Sequence, residues 1–468
     1  MTGRTDTGPL FAQLASAAAP AVVDAIAALV RDGSDRELCR VNALAFATAR
    51  DLPQDAVIAG FLHAARLGLF EMTWGLLCPG CGGVLNSGST LRTVDRARYS
   101  CALCAGHYEP TLDEMVEVTF TVAPAVRGIE AHAPDTLPLP RYLRQVLWGS
   151  GMDLPDEAGI ARVLDEIVLT AAELPAGAQG VLELALPAEF VILFDPVSHA
   201  AQFIDVQGAP TAETREVVFV LEQGEALNPT LQLPPGPLRV RVDNRTATRT
   251  LPSAWVAGDL LHEVLGRRRP FLTAKRLLSN QTFRDLYRND TLDIDQRLKI
   301  TSLTFLFTDL KGSTELYERV GDLVAYDVVR AHFRILQEII ASESGAIVKT
   351  IGDAVMATFP TPGQGLAAAL RMRDALQELD RDMLLKIGLH EGPCLAVVLN
   401  DQQDYFGQTV NIAARVQQLA ASRAIFVTEP VLSDATATAL LQASGIAPEA
   451  REQALRGVRH AVRVYEIP

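Results

Sequence analysis

Residues 347–359, IVKTIGDAVMATF, decide the fold of the C-terminal third of the chain. The strand-like runs GAIVKTI and AVMATFP flank Gly352-Asp353, which suits a tight turn, so this segment predicts a β-hairpin. The strand-like SLTFLFTD and a helical stretch ending in ILQEIIASES precede the hairpin, and a helical 364–380 and the strand-like LLKIGLH follow it. The resulting order, strand-helix-strand-strand-helix-strand, predicts a ferredoxin-like βαββαβ domain.

Three short segments in and around this domain carry polar side chains suited to nucleotide chemistry: FLFTDLKGST (305–314), the hairpin, and DYFGQTVNIAARV (404–416). The six side chains are Asp309, Lys349, Asp353, Asp404, Asn411 and Arg415.

Asp309 and Asp353 are candidate ligands for Mg²⁺, which takes one or two carboxylates together with substrate phosphate oxygens. Asp309 ends a predicted strand before a Lys-Gly-Ser-Thr turn and a helix, and Asp353 lies at the hairpin tip. Backbone amides at a helix N-terminus bind phosphate, and glycine lets the phosphate approach closely. The predicted phosphate-binding residues are Leu310, Gly312, Ser313 and Thr314.

The other four residues offer complementary groups. Lys349 has a donor and Asp404 an acceptor, and such a combination would complement adenine, where N1 is an acceptor and the N6 amino group a donor. Guanine presents the inverted pattern. Asn411 and Arg415 are four residues apart on a helix predicted to start near Gln408, so both point the same way.

These segments resemble the catalytic domain of class III adenylate cyclases, and all six positions of that family's motif are filled. The resemblance implies conversion of ATP to 3′,5′-cyclic AMP and pyrophosphate, with two Mg²⁺ or Mn²⁺ ions per active site on Asp309 and Asp353. It also implies that Lys349 and Asp404 bind adenine, that Asn411 orients the ribose, and that Arg415 stabilises the pentavalent phosphorus.

The same resemblance implies a homodimer in which Asp309 and Asp353 come from one subunit and the other four residues from its partner. Cyclases often carry a further basic residue near the C-terminus that binds the triphosphate. Arg459 is the preferred candidate here, and Arg456 is the alternative. The arm between Gly392 and Phe406, which family members use in dimer contacts, is short in this chain.

Two rival functions remain for this domain. Guanylate cyclases of the family carry Glu and a small polar residue where this chain has Lys349 and Asp404. A catalytically silent nucleotide-binding signalling scaffold is the second rival, and the complete set of six residues argues against it.

Four cysteines, Cys78, Cys81, Cys101 and Cys104, give the pattern C-x2-C-x19-C-x2-C. Two such knuckles predict a zinc ribbon that holds one structural Zn²⁺ per chain, with His107 as an alternative ligand. Zinc ribbons occur in nucleic-acid binders and in scaffolds. We favour a scaffold because no basic, aromatic-rich surface surrounds this one.

The sequence predicts an α+β multidomain chain with five parts: a helical region (1–75), the zinc ribbon (76–112), a β-rich sandwich-like regulatory domain (113–257), a helical linker (258–298) and the cyclase domain (299–468). The stretch LHAARLGLFEMTWGLLCPGCGG resembles an uncharacterised N-terminal region found ahead of bacterial cyclase domains. That resemblance implies regulation by an unknown ligand or protein. In the linker, Arg267, Arg268 and Arg269 indicate a solvated helix face, with an anion site as the alternative.

Composition narrows the class of protein. A chain of 468 residues with a net charge of −14 is not expected to bind nucleic acid or an anionic membrane. No apolar run reaches the roughly 18–20 residues of a membrane span. With four of six cysteines in a metal-type pattern, the sequence favours the reducing cytoplasm.

Overall fold

A computed structural model of the chain describes residues 6–94, 98–222, 229–287, 297–311, 318, 321–379, 384–399, 402–420 and 424–468. The chain divides into two compact units. The N-terminal unit comprises Met1–Pro110 and Glu114–Leu272, and the C-terminal unit comprises Thr111–Asp113 and Thr273–Pro468.

The N-terminal unit begins with helices, as predicted. They are α1 (Gly8–Ala17), α2 (Pro20–Asp32), α3 (Asp35–Leu38), α4 (Ala43–Ala49) and α5 (Gln54–Arg66). Val22, Ile26 and Leu29 form a buried stripe on α2, at the spacing of one helix face. The Asn42 side chain caps α4 by accepting from the amides of Leu44 and Ala45.

The cysteine-bearing part is made of short strands: β1 (Phe70–Leu77), β2 (Val84–Gly88), β3 (Tyr99–Cys101), β4 (Gly106–Tyr108) and β5 (Val116–Val122). One sheet has the order β2-β1-β5, and β3 pairs with β4 in a hairpin. The sequence analysis grouped β5 with the β-rich region, but β5 pairs with β1 along its whole length. Pairing with a distant strand depends on tertiary structure, which local alternation does not reveal.

The β-rich region contains β6 (Val168–Ala171), β7 (Gln179–Leu186), β8 (Val191–Asp195), β9 (Ala200–Val206), β10 (Arg215–Leu221), β11 (Leu231–Leu233), β12 (Gly236–Asn244) and β13 (Ser253–Val256). They form two sheets, with the orders β10-β12-β7 and β11-β9-β8-β13-β6. Buried side chains of both sheets, such as Phe219, Val240 and Leu193, share one hydrophobic cluster. The predicted β-rich region is therefore present, and its sheets share a core as in a sandwich.

Helical turns link these parts. They are 3₁₀ turns at Leu91–Thr93, Glu130–His132 and Pro134–Thr136, a π-helical turn at Leu143–Leu147, and the helices α6 (Leu139–Tyr142), α7 (Glu157–Ile167) and α8 (Asp259–Gly266). Because α8 ends at Gly266, the three arginines that follow it do not lie on a helix face, contrary to the prediction.

The C-terminal unit contains short helices α9 (Ala274–Leu278) and α10 (Gln281–Leu286), followed by β14 (Leu298–Lys311), α11 (Asp322–Ser342), β15 (Ala346–Ile351), β16 (Ala354–Phe359), α12 (Pro362–Leu379), β17 (Leu384–Leu399), β18 (Gln402–Phe406), α13 (Gln408–Leu419), β19 (Ile425–Thr428), α14 (Glu429–Leu432), α15 (Ala435–Ala443), β20 (Glu449–Gln453) and β21 (Val462–Ile467). From β14 to β17 the elements follow the predicted βαββαβ order. The sheet runs β15-β16-β14-β17-β19-β21-β20, with β18 added to β17. The ferredoxin-like prediction is confirmed.

Helices cover both faces of this sheet. Leu336 of α11 and Leu366 of α12 belong to the same buried cluster as Val427 of β19. Phe426 of β19 belongs to a second cluster with Val416 of α13, because adjacent residues of a strand point to opposite faces. Gly388 of β17 lets α13 lie this close, since a Cβ atom there would be 2.2 Å from the backbone nitrogen of Gln417.

No helix among the described residues is long and apolar enough to cross a membrane.

Buried His390 on β17 predicts acid sensitivity of the C-terminal unit. Its Nδ1 lies 2.7 Å from Oγ1 of Thr428, and burial lowers the pKa of His390 from 6.5 to about 4. Between these values the unfolded chain binds the extra proton, so stability is lost as the pH falls from 6.5 towards 4. We expect His390 to cost the unit about 2 kcal/mol between pH 7 and pH 5.

Hydrogen exchange of β17 peptides, corrected for the intrinsic rate at each pH, measures this loss. The variant His390→Gln keeps a polar partner for Thr428 without titrating, and should lose about 2 kcal/mol less than the wild type. An identical pH dependence in both proteins would contradict the assignment.

Candidate active site and metal centre

Two adjacent strands carry the carboxylates Asp309 and Asp353. β14 pairs with β16 up to the pair Thr308 and Val355, so Asp309 follows that pair by one residue and Asp353 precedes it by two. Gly352 has φ +64°, which supports the tight turn that leads into Asp353. The strand register therefore places both backbone positions at the same end of the sheet.

The surroundings of these carboxylates fit a divalent cation. Among the described residues, none donates a hydrogen bond to the buried Oδ2 of Asp353, and a buried polar atom without a partner calls for an ion or a water. Oδ2 of Asp309 lies 3.3 Å from Nζ of Lys386, the residue opposite it on β17. Two carboxylates, one of them with a free oxygen, are the hard oxygen ligands that Mg²⁺ and Mn²⁺ take.

Sequence analysis missed Lys386 and also His332 on α11. His332 is fully buried and neither of its ring nitrogens has a hydrogen-bond partner. Burial lowers the pKa of His332 to about 4, opposed by the nearby Asp353 carboxylate. A neutral imidazole therefore lies beside Asp353 at neutral pH. The signal for it was a polar residue on the apolar face of a predicted helix.

The predicted phosphate-binding segment is described only at its first residue. Gly312, Ser313 and Thr314 lie outside the described residues. The amide of Leu310 was predicted to bind phosphate at a helix N-terminus, but β14 continues to Lys311, and Leu310 is a buried strand residue opposite Leu385. The apolar Leu310 extends the strand because its side chain packs in the core.

Lys349 and Asp404 are in direct contact. Nζ of Lys349 lies 2.5 Å from Oδ2 of Asp404, and Oδ1 of Asp404 accepts from the backbone amide of Tyr405 at 2.8 Å. Asp404 is 10% exposed and Lys349 41%. The fold thus joins two residues 55 positions apart into one donor–acceptor pair that is partly exposed to solvent.

Arg284 of α10 ties the two strands of this pair together, which the sequence did not indicate. Its guanidinium donates to the carbonyl oxygens of Ile347 at 3.1 Å, Val348 at 3.2 Å and Gln403 at 2.9 Å. These carbonyls directly precede Lys349 on β15 and Asp404 on β18. A β-bulge between Ile347 and Lys349 frees the carbonyl groups that Arg284 binds.

A polar cavity of about 440 Å³ adjoins Lys349. α10 contributes Arg284 and Asp285, and Tyr287 follows it. Gln402 and Gln403 of β18 complete part of the wall. Lys349 therefore reaches solvent on the side of this cavity.

Asn411 and Arg415 lie on the helix α13, as predicted. Asn411 is exposed and Arg415 is half-buried, while Ala413 and Val416 of the same helix are buried. Arg415 donates to the side chain of Gln418, one turn further on, at 3.1 Å. In the described part of this chain, no carboxylate forms an ion pair with Arg415, so its charge is available to an anion.

The predicted C-terminal basic residues, Arg456 and Arg459, are both exposed and lie in the loop between β20 and β21. Their positions do not decide between them.

The four cysteines converge. The Sγ atoms of Cys78, Cys81, Cys101 and Cys104 all lie within 4.8 Å of one another. Cys78 and Cys104 are 3.8 Å apart, and Cys81 and Cys101 are 3.6 Å apart. Four sulfurs at about 2.3 Å from a tetrahedral Zn²⁺ would be roughly 3.8 Å apart, whereas a disulfide requires about 2.05 Å. The cluster fits zinc.

The alternative ligand His107 is not part of this cluster. It is exposed, and its Nδ1 lies 2.7 Å from Oγ of Ser100. Hydrogen bonds among the four sulfurs lower the pKa of Cys78 and Cys104 and raise that of Cys81 and Cys101. A bound cation would favour the thiolate form of all four. Three of the four cysteines pack in a core cluster with Trp148 and Trp255, so the ribbon is continuous with the rest of its unit.

Two family models match the chain. One is described as a family of unknown function, DUF5939, and matches residues 4–285, which is more than half of the chain. The other is described as the adenylate and guanylate cyclase catalytic domain and matches residues 296–466. The chain belongs to the DUF5939 family and carries a class III cyclase catalytic domain.

Curated relatives match the cyclase domain. An adenylate cyclase of Streptomyces griseus is 29% identical over 148 residues, covering 32% of this chain and 35% of the relative. Adenylate cyclase 2 of Rhizobium meliloti is 32% identical over 132 residues, covering 25% and 36%. The chain thus spans about a third of the length of these relatives. Among solved structures, the adenylyl cyclase CyaB from P. aeruginosa aligns with a TM-score of 0.34 at 20% identity, covering 37% of this chain and 96% of that one.

The zinc ligands of this cyclase-bearing chain can be tested directly. We expect about one zinc per chain by elemental analysis, because the four thiolates match one tetrahedral site. Cys78→Ser should release the zinc and destabilise the N-terminal unit by several kcal/mol, since structural zinc contributes on the order of 10 kcal/mol.

Cys394→Ser is the matched control, because Cys394 is also a buried free cysteine but lies outside the cluster. It should retain zinc. Loss of zinc from both variants, or from neither, would contradict the site.

Proposed function

We propose that the chain is an adenylate cyclase that converts ATP to 3′,5′-cyclic AMP and pyrophosphate. The cyclase domain supplies the reaction class. The observation that carries the choice of ATP is the contact between Lys349 and Asp404. It presents one donor and one acceptor side by side on a partly exposed surface.

This pair suits adenine and opposes guanine. The ammonium of Lys349 would donate to N1, and the carboxylate of Asp404 would accept from the N6 amino group. Guanine would place its N1–H donor against Lys349 and its O6 acceptor against Asp404, so both contacts would be lost. A site built on buried hydrogen bonds rejects such a mismatch strongly because its groups stay unpaired.

The remaining residues act on the ribose and phosphates. Asn411 would orient the ribose so that the 3′-oxygen faces the α-phosphorus. The O–P bond forms as the bond to pyrophosphate breaks, and the 3′-hydroxyl proton leaves to solvent. Arg415, on the same helix face, would stabilise the negative charge that develops. Arg459 is our candidate side chain for binding the triphosphate, and Gly312, Ser313 and Thr314 are our candidates for binding it through their backbone amides.

Asp309 and Asp353 would hold the divalent ions. When bound, Mg²⁺ or Mn²⁺ neutralises the phosphates and lowers the pKa of the attacking hydroxyl. Metal binding to Asp309 would break the contact between this carboxylate and Lys386. Metal binding to the free oxygen of Asp353 would break no such contact among the described residues.

The active form would be a homodimer with sites shared between subunits. Exposed apolar side chains flank the functional residues: Phe406 (65% exposed) follows Asp404 closely, and Leu323 (84%) lies at the start of α11. We propose that these two exposed side chains belong to the subunit interface. A second copy of the chain would cover these side chains.

The N-terminal unit would regulate the cyclase domain. For the whole chain we propose the five-part domain division that the sequence predicts. The zinc ribbon would serve as its scaffold. None of the six cysteines, all of which are described, is in a disulfide, which is consistent with a reducing compartment, and we propose the cytoplasm.

The reaction is tested with purified protein, Mn²⁺ and either ATP or GTP, reading the cyclic nucleotide by mass. We expect cyclic AMP from ATP and little product from GTP. Asp353→Asn should abolish the product while ATP binding without metal is kept. Product from GTP alone would overturn the choice of base, and no product from either would favour the nucleotide-binding scaffold.

A double variant tests the proposed adenine-binding pair, Lys349 and Asp404. Lys349→Glu combined with Asp404→Ser reverses the donor–acceptor pattern, so the ratio of kcat/KM for ATP over GTP should fall at least 100-fold, equivalent to about 2.7 kcal/mol. Arg284→Ala should lower the same ratio more mildly, because both strands lose their common anchor. Arg334→Ala, on the exposed surface of α11, is the control. An unchanged ratio in the double variant would contradict adenine reading.

The dimer is tested at Phe406. Phe406→Glu should shift the chain towards monomer in sedimentation velocity and lower the specific activity at least tenfold at dilution, because each site needs two subunits. Val218→Glu changes a comparably exposed apolar residue of the N-terminal unit and should alter neither property. A Phe406→Glu monomer with full activity would exclude shared sites.

A further inference from the structure

The N-terminal unit contains a cavity of about 250 Å³ whose polar wall is made largely of arginines. We call it the arginine cavity. Its cationic residues are Arg36, Arg40, Arg50, Arg144 and Arg269. They come from α3, the segments after α3 and α4, the π-helical turn and the segment after α8, so only the tertiary fold brings them together.

One of these charges is already balanced. Arg40 forms an ion pair with Glu117, which is fully buried, and also donates to the carbonyl oxygen of Val146 at 2.9 Å. The second oxygen of Glu117 accepts from the amide of Ser150 at 2.8 Å. Both carboxylate oxygens of Glu117 are therefore already bound, one by Arg40 and the other by the amide of Ser150.

The other carboxylates near the cavity are also engaged. Oε2 of Glu37 accepts from both the amide and the hydroxyl of Ser34 at 2.8 Å. Asp35 accepts from the amide of Glu130 at 2.9 Å. The remaining titratable group, the Cys39 thiol, is buried, and burial raises its pKa, so it stays neutral.

Three arginines are left without a counter-charge. Among the described residues, no carboxylate lies within ion-pair distance of Arg36, Arg144 or Arg269. Arg36 and Arg269 each donate to a carbonyl oxygen, those of Cys39 and Ser150. Nε of Arg144 is buried with no hydrogen-bond partner.

The electrostatics agree with this geometry. Burial is the main cause that lowers the pKa of Arg36 to about 10, and the positive charges of Arg144, Arg40 and Arg269 contribute to the same decrease. Keeping several half-buried guanidinium groups close together is costly unless an anion joins them. The cost is notable in a chain of net charge −14, where acidic partners are plentiful.

We propose that the arginine cavity is a binding site for a small phosphate-bearing molecule. A phosphate monoester carries about −1.5 to −2 charges and three acceptor oxygens, which suits three forked guanidinium donors better than a single carboxylate does. The wall also contains Glu37 and Asn42 and an apolar part that includes Leu29, Phe46 and Met152. An apolar or aromatic body on the phosphate would pack against it.

This site would give the DUF5939 region a ligand class. It lies wholly within the N-terminal unit, so it is separate from the nucleotide site. Of the three arginines that the sequence analysis assigned to a solvated face, Arg267 is exposed and pairs with Glu263, whereas Arg269 lines the cavity. For Arg269 the alternative, an anion site, is the better interpretation.

The test uses the full chain and phenyl phosphate, with inorganic phosphate and neutral phenol as the other arms. Trp74, Trp148 and Trp255, the three tryptophans of the chain, all lie in the N-terminal unit, so their fluorescence follows the unfolding of that unit. Saturating phenyl phosphate should raise its Tm by on the order of 5 °C, and phenol should not. A larger shift with phenyl phosphate than with inorganic phosphate would assign the natural ligand to the phosphate esters, and equal shifts would assign it to free phosphate.

Arg144→Gln separates a ligand-binding role from a structural one. Because it removes a buried charge that has no partner, it should leave the ligand-free Tm unchanged or raise it, while abolishing the phosphate-induced shift. Arg269→Gln should raise the apparent Kd for phenyl phosphate, measured from the concentration dependence of the Tm shift, at least tenfold. Arg239→Gln, an exposed arginine of β12 paired with Glu183, should keep the full shift.

Absence of a shift with both phosphates at millimolar concentration would overturn the proposal. So would a shift that persists in Arg144→Gln, or a ligand-free Arg144→Gln protein that is strongly destabilised.

Discussion

The structure depends on one constraint: a charge removed from water must meet an opposite charge or a hydrogen-bonding partner. Lys349 and Asp404 satisfy it within the chain, and so do Arg40 and Glu117. Asp353 does not, because one of its oxygens is buried without a partner. The fold keeps this charge in place by strand pairing, which supports a ligand of opposite sign as part of the working protein. Arg144 is the cationic counterpart, because its Nε is also buried without a hydrogen-bond partner among the described residues.

The cyclase domain meets this constraint through its strand order. β14 is paired on both sides, by β16 and β17, so Asp309 is held next to the hairpin of Asp353 and opposite Lys386. The edge strand β15 and the added strand β18 are not neighbours in the sheet. Arg284 joins them by binding a carbonyl from each, and it belongs to the helix that precedes the domain. The residues around Lys349 therefore depend on a segment outside the βαββαβ motif.

Much of this could be predicted from local sequence. The hairpin at Gly352-Asp353 and the order of β14 to β17 follow from turn residues and from a change between periods of 2 and 3.6. The cysteine knuckles at Cys78 and Cys101 predicted the thiolate cluster because each pair is local. The contact of Lys349 with Asp404 was expected only through the resemblance to cyclases, since 55 residues separate them.

What the sequence did not show depends on long-range packing. Arg284, Lys386 and His332 are ordinary residues in their own segments, and their importance comes from partners on other strands. The strand β5 alternates like its neighbours in sequence but pairs with β1. The arginine cavity collects residues from five separate segments, so no window of sequence contains it.

The central claim is that the cyclase domain works as a homodimer with shared active sites. It is tested most directly by mixing two inactive variants, Asp309→Asn and Arg415→Ala, after each has been shown to fold. In half of the randomly mixed dimers one site is then made entirely of intact residues, so the mixture should recover about a quarter of the wild-type activity with ATP. A mixture no more active than the separate variants, although subunit exchange has been demonstrated, would contradict the claim.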